Sequence, residues 1–384
     1  MMMKHAAGTT KLSREAARLV RLATAITESG SQIERDAWQQ QAMTLITGLF
    51  QKKMNETLEQ ALDALWVDNP AACDVLALMI ESHAETLTES KDHNAVLLVV
   101  PILAWSRYTI PSGRIKPQRL GELRGHLRQQ ILASDVKLAL CDVMYSPDQL
   151  PRGFIETRAL LQQLATAAQT EDDLQVDVST LAQAGEYVAD VRYIFAAALV
   201  NKGAPIFRWQ QTDITANEVL QAWELHTRTW FSQLLPGCHV SPLLPNAFFS
   251  AWRKLEQEAR PFSLRAAISY LCETLTISPA ELRAVVAPCY DQALEEYRIG
   301  FSLLNKQNIL HGVVWPLVDN EQEDTDILTQ IEQELVGLGK VTVLSNSLPL
   351  EYCDDCGTPL FPNAEGELQH PELPEGDAAV PHLH

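Results

Sequence analysis

The chain has 384 residues, with 49 Asp and Glu against 30 Lys and Arg and a formal net charge of −19. That length allows two or three domains, and the acidity argues against nucleic acid as a general partner, because the chain would repel a phosphate backbone. The longest apolar run, residues 95–105 (AVLLVVPILAW), is about half of the roughly 20 residues a membrane-spanning helix needs and contains Pro101, so it reads as a buried strand and no membrane partner is expected. The start, Met-Met-Met-Lys-His, lacks the pattern of a secretion signal, and seven scattered cysteines do not form a disulfide framework; together they point to a reducing cytoplasm.

Residues 1–11 read as a mobile leader. Ser13 is placed to cap a helix that ends near Gly30, and Ser31 with Glu34 forms a capping-box pattern for a second. Two shorter helices follow, one through Leu58, Leu62 and Leu65, the other from Pro70 past Leu76 and Ile80. This helical layer is expected to pack on the sheet that comes next. The first sixty residues carry eight Lys or Arg against six acids, and Arg14, Arg18 and Arg21 fall on one predicted helix face. That face is either solvated or a surface for an anion or partner.

The strand-rich part is organised by a repeat. Cys141, Asp142 and Val143 are followed by Ser146-Pro147, Leu150-Pro151 and Phe154; Cys238, His239 and Val240 are followed by Ser241-Pro242, Leu244-Pro245 and Phe248. A weaker echo is Leu348-Pro349. The Leu-Pro landmarks lie 94 and 104 residues apart, too far for a solenoid. The expected fold is α/β (α+β): the helical N-terminal region (1–90), three related hairpin-helix-strand units (91–169, 180–294 and 295–350), ferredoxin-like duplications being one form they could take, and an acidic tail (351–384). Residues 169–179 read as a linker, 247–258 and 263–275 as two helices, and Ser278, Pro279 and Glu281 as the start of another.

The runs LLVVPILAWSRYTIPSG, YSPDQLP and YCDDCGTPLFPN together resemble a family of bacterial proteins built on a domain of unknown function, chiefly betaproteobacterial, and the resemblance covers nearly the whole chain. It implies a bacterial cytoplasmic protein and brings no activity or established site residues.

The sharpest chemical signal is Cys353-Asp-Asp-Cys356-Gly357 with His370 fourteen positions later. Two thiolates two residues apart can grip one Zn²⁺ on a tight turn, which resembles half of a zinc ribbon. Its second Cys pair is missing, so His370 and one of His382, His384 or an acid would complete a structural zinc site. A metal-free thiol pair in a mobile tail and a redox disulfide are the other readings, and beyond Gly366 the sequence reads as extended and mobile. Cys238 beside His239 has the residue types of a cysteine nucleophile, but strand neighbours point to opposite faces, and Cys141 and Cys238 read as buried hydrophobes. Arg107, Arg114 and Arg208 are candidates for binding a small anion, or cover a strand edge. No P-loop, Gly-x-Gly-x-x-Gly, His-Glu-x-x-His, Gly-x-Ser-x-Gly or EF-hand pattern occurs. The expectation is therefore a non-catalytic binding or regulatory protein with a protein or small-molecule partner; the alternative is an enzyme of unrecognised type acting on a small anionic substrate between the units.

Overall fold

The structure is a computed structural model that describes residues 12–88, 92–185, 187–291, 293–317, 321 and 326–373. The expected leader lies outside these residues. Four helices open the chain: α1 (Arg14–Glu28), α2 (Gln32–Gln51), α3 (Asn55–Asp68) and α4 (Pro70–Glu85). Their starts follow the capping chemistry, since the side chains of Ser13, Ser31 and Asn69 accept the backbone N–H groups of Ala16, Glu34 and Ala72.

The first sheet contains β1 (Thr86–Thr88), β2 (His93–Trp105), β3 (Gly113–Arg114), β4 (Lys137–Tyr145), β5 (Ala189–Asn201), β6 (His239–Pro242) and β7 (Asn246–Ala247). Its helices are α5 (Pro117–His126, continued by a π-helical turn to Ile131), α6 (Phe154–Thr170), α7 (Ala216–Leu234) and α8 (Phe248–Leu275). The two central strands, β2 and β5, pair antiparallel over their full lengths, from His93↔Asn201 to Trp105↔Ala189. β4 flanks β5 and β6 flanks β2, so each unit's second strand pairs with the other unit's first. The order β6-β2-β5-β4 is the split βαβ arrangement of ferredoxin-like sheets. Two units thus build one such sheet jointly, which corrects the expectation of a ferredoxin-like unit in each.

Both faces of β2 are buried. Leu97, Val99 and Leu103 face the core shared with α6 and α8, while Leu98, Val100 and Ile102 face the core under α5 and α7. Pro101 is tolerated in this central strand because its carbonyl accepts Leu243 N–H, so its missing donor points at the interruption between β6 and β7. The N-terminal helices do not lie mainly on the sheet as expected: α4 packs on α6 and α8, which cover the sheet themselves.

The expected hairpins of the first two units are absent. β2 is a single strand, and the segment after it is drawn across the sheet end because buried Arg192 holds the carbonyls of Ile110 and Pro111. Arg208–Gln210 form a single 3-10 turn, and Gln210 Oε1 accepts the N–H groups of Ile206 and Phe207. The expected linker is tied down: Leu174 exchanges backbone hydrogen bonds with Leu140 and Asp142 at the bulge of β4.

The two helices expected over 247–275 are one. α8 carries Pro261 inside it; Phe248, Phe249 and Leu255 belong to the first sheet's core, and Leu264, Tyr270 and Leu271 to the next. The helix expected after Ser278 is a single 3-10 turn, Pro279–Glu281, leading into a strand. The second sheet is β8 (Leu282–Tyr290), β9 (Leu294–Leu303), β10 (His311–Pro316), β11 (Lys340–Val343) and β12 (Leu348–Pro349), with α9 (Ile327–Glu334) before β11. β8, β9 and β10 are an antiparallel meander, and β11 and β12 pair parallel to β8. A unit boundary at 294/295 would cut the β8–β9 hairpin, and the third unit does not repeat the topology of the first two. Among the described residues no helix is long and apolar enough to cross a membrane.

Candidate metal centre

The centre is built by a short segment laid against the second sheet. Cys353 N–H donates to Thr358 O at 2.7 Å and Gly357 N–H donates back to Cys353 O at 2.8 Å, closing a tight turn over Cys353–Cys356. Gly357 has φ +72°, a conformation that favours glycine. The chain then forms β13 (Phe361–Pro362) and returns in β14 (Leu368–Gln369). Asn363 fixes the connecting turn, its Oδ1 accepting from Glu365 N–H and Glu367 N–H at 2.9 Å each.

This hairpin carries His370 back to the turn. Its Nε2 lies 3.3 Å from Cys356 Sγ, and the ligand atoms of Cys353, Cys356 and His370 all lie within 4.8 Å of one another. Two sulfurs at about 2.3 Å and one imidazole nitrogen at about 2.0 Å from a common centre suit Zn²⁺. Cys356 is exposed, and hydrogen bonds from Thr358, first its hydroxyl and then its backbone N–H, with His370 and Cys353 contributing, pull its thiol down to about 7. The turn therefore stabilises the thiolate, the form that ligates metal. His382 and His384 lie outside the described residues.

The segment is docked, which corrects the expectation of a mobile tail for residues 367–373. Arg298 on β9 is fully buried; its Nε donates to Glu296 at 2.7 Å, its Nη1 to the carbonyls of Leu360 (2.9 Å) and Glu351, and its guanidinium lies over the Tyr352 ring at 5.0 Å. Gly300 and Gly312 face each other across β9 and β10. A Cβ on Gly300 would come within 2.3 Å of Pro362 O, and one on Gly312 within 2.2 Å of the Phe361 ring. Two glycines thus clear the ground on which β13 lies. Glu372 N–H donates to Ile309 O at 2.8 Å and Leu373 packs on the core of the second sheet.

The other candidate residues are dispersed. Arg107 follows β2 and is exposed; Arg114 on β3 pairs with Asp142 and donates to Val176 O at 2.9 Å. Arg208 follows β5 and stands at the opposite end of the sheet from these two. Cys141 is fully buried, which pushes its thiol up to about 12. Cys238 is partly buried and its thiol is also raised by burial, while exposed His239 tilts toward Trp105. Neither cysteine is primed as a nucleophile.

Residues 4–384 match the family model described as "Protein of unknown function (DUF2863)". The chain belongs to that family. No curated protein and no solved structure matches it.

Proposed function

We propose that this DUF2863 protein is a non-catalytic binding or regulatory protein of the cytoplasm whose C-terminal segment is clipped by one Zn²⁺. Cys353, Cys356 and His370 hold the ion, and its fourth ligand is water or a histidine of the last residues, His382 or His384. The observation that carries the reading is the convergence of the three ligand atoms within 4.8 Å on a segment latched by Arg298. A segment of about twenty residues has little core of its own, and a metal supplies the stability that burial cannot. Cys353 and Cys356 ligate as thiolates and His370 through Nε2, which lies 3.3 Å from Cys356 Sγ. The reading is favoured over an enzyme because Arg107, Arg114 and Arg208 do not converge and the cysteines outside the segment carry thiols raised by burial.

Limited proteolysis with and without a zinc chelator tests the clip. Zinc-loaded protein should resist cleavage between residues 351 and 373, and stripping the metal should open that segment while the two sheets stay protected. Cleavage at equal rates in both states would contradict the proposal.

A further inference from the structure

A second feature, independent of the metal, lies at the other end of the chain. A half-open cleft of about 620 Å³, a volume within the range of small-molecule sites, lies between α1 and α2. One wall is the stripe Arg14, Arg18 and Arg21, four and three residues apart on α1; Lys52 stands across from it at the end of α2. All four are exposed, and none is paired with an acid among the described residues. Glu15 is the one acid in the lining, so the cleft holds four positive charges and one negative, +3 in sum, on a chain of net charge −19. The eleven residues before Leu12 contain Lys4 and Lys11 and no acid, so their sequence adds no neutralising charge.

The remaining lining sorts by chemistry. Gln41 and Thr44 add hydrogen-bonding groups, and Leu45 and Leu49 form an apolar floor. Gly48 sits in the last turn of α2, and nothing lies within 4 Å of where its Cβ would be. The glycine leaves the α2 backbone bare toward the cleft, giving a ligand close approach.

The geometry points to a small organic diphosphate as the ligand, its phosphates on Arg14, Arg18, Arg21 and Lys52 and its body on Leu45 and Leu49. Seven residues of helix separate Arg14 from Arg21, about 10 Å at 1.5 Å per residue, more than a single phosphate spans. Two phosphate groups, at roughly −1.5 to −2 for a terminal one, match the +3 of the lining. Guanidinium groups meet phosphate oxygens in bidentate pairs. A nucleic-acid strand would have to lie along an acidic chain, and a peptide's carboxylates are single charges on separate arms.

Calorimetric titration of the full-length protein with inorganic pyrophosphate, orthophosphate, a short single-stranded RNA and poly-glutamate tests this. Pyrophosphate should bind at least tenfold tighter than orthophosphate. The double variant Arg18→Gln, Arg21→Gln should lose at least tenfold in pyrophosphate affinity with an unchanged helical signal, and Arg35→Gln, on α2 outside the cleft, should stay within twofold of the parent. No pyrophosphate binding at millimolar concentration, equal binding of orthophosphate, or an unaffected double variant would each overturn the proposal. Tighter binding of the RNA or poly-glutamate would assign the cleft to a macromolecule and overturn it as well.

Discussion

Arg192 and Arg298 are fully buried arginines, each two residues after an acid on its own strand and each paired with it: Asp190 with Arg192 on β5, Glu296 with Arg298 on β9. Each holds a distant loop by its carbonyls, Arg192 those of Ile110 and Pro111, Arg298 those of Glu351 and Leu360. They differ in completeness. All three nitrogens of Arg192 are engaged, whereas Arg298 Nη2 has no hydrogen-bond partner among the described residues and the guanidinium rests on Tyr352 instead. The first latch fixes the loop that crosses the end of the sheet between two cores. The second holds a thin segment with little core beneath it, and there Cys353, Cys356 and His370, which could hold a metal, are gathered. An incomplete latch leaves part of the holding to something else, the role proposed above for Zn²⁺.

The largest expected effect follows from breaking the complete latch. Arg192→Ala strands Asp190 in a buried site, where desolvation already raises its carboxyl, and should cost about 3–5 kcal/mol in urea-induced unfolding. Arg298→Ala should cost less, about 2–3 kcal/mol, because Glu296 is partly exposed and can rehydrate. It should expose residues 351–373 to protease, which Arg192→Ala should not. Equal losses with no difference in proteolysis would erase the contrast between the two latches.

Gly312→Ala leaves Arg298 intact and pushes first on the Phe361 ring. A loss of about 1–3 kcal/mol is expected from overpacking, with the protease-sensitive site again confined to the C-terminal segment. An alanine variant as stable and as resistant as the parent would mean that β13 does not rest on that glycine.

A smaller effect belongs to the layer outside the first sheet. Glu85 accepts Phe249 N–H at 3.0 Å at the start of α8, and burial raises its carboxyl to about 7. A carboxyl higher in the folded than in the unfolded chain binds its proton more tightly when folded. Below pH 4.5 the group is protonated in both states; stability should fall as pH rises from about 4.5 to 7 and level off above. Glu85→Gln keeps an acceptor for Phe249 and should flatten that slope, gaining about 1–2 kcal/mol at pH 8 by thermal unfolding, a figure reduced for solvent screening of a half-buried group. An unchanged pH profile would place the titration elsewhere.

Local chemistry was readable wherever it decided the outcome. Ser13 and Ser31 each start the helix their sequence announces, and the spacing of Cys353, Cys356 and His370 anticipated a cluster that a return hairpin closes. Local signals misled where they were ambiguous: the capping box at Ser278 serves a single turn as well as a helix, and Pro261 reads as a break where α8 continues. The docking of the C-terminal segment was illegible for a different reason. It depends on Gly300, Gly312 and Arg298, which are remote in sequence from the residues they hold and carry no pattern until β9 and β10 are paired. Strand exchange between the first two units was hidden likewise, since the repeat marks equivalent strands and leaves their pairing open.

Elemental mass spectrometry on full-length, untagged protein purified under reducing conditions, alongside the double variant Cys353→Ser, Cys356→Ser, tests whether a metal completes the weaker latch. One zinc per chain in the parent and none in the variant is the predicted result. A metal-free parent, or a variant that keeps its zinc in full, would rule out a zinc clip at Cys353 and Cys356.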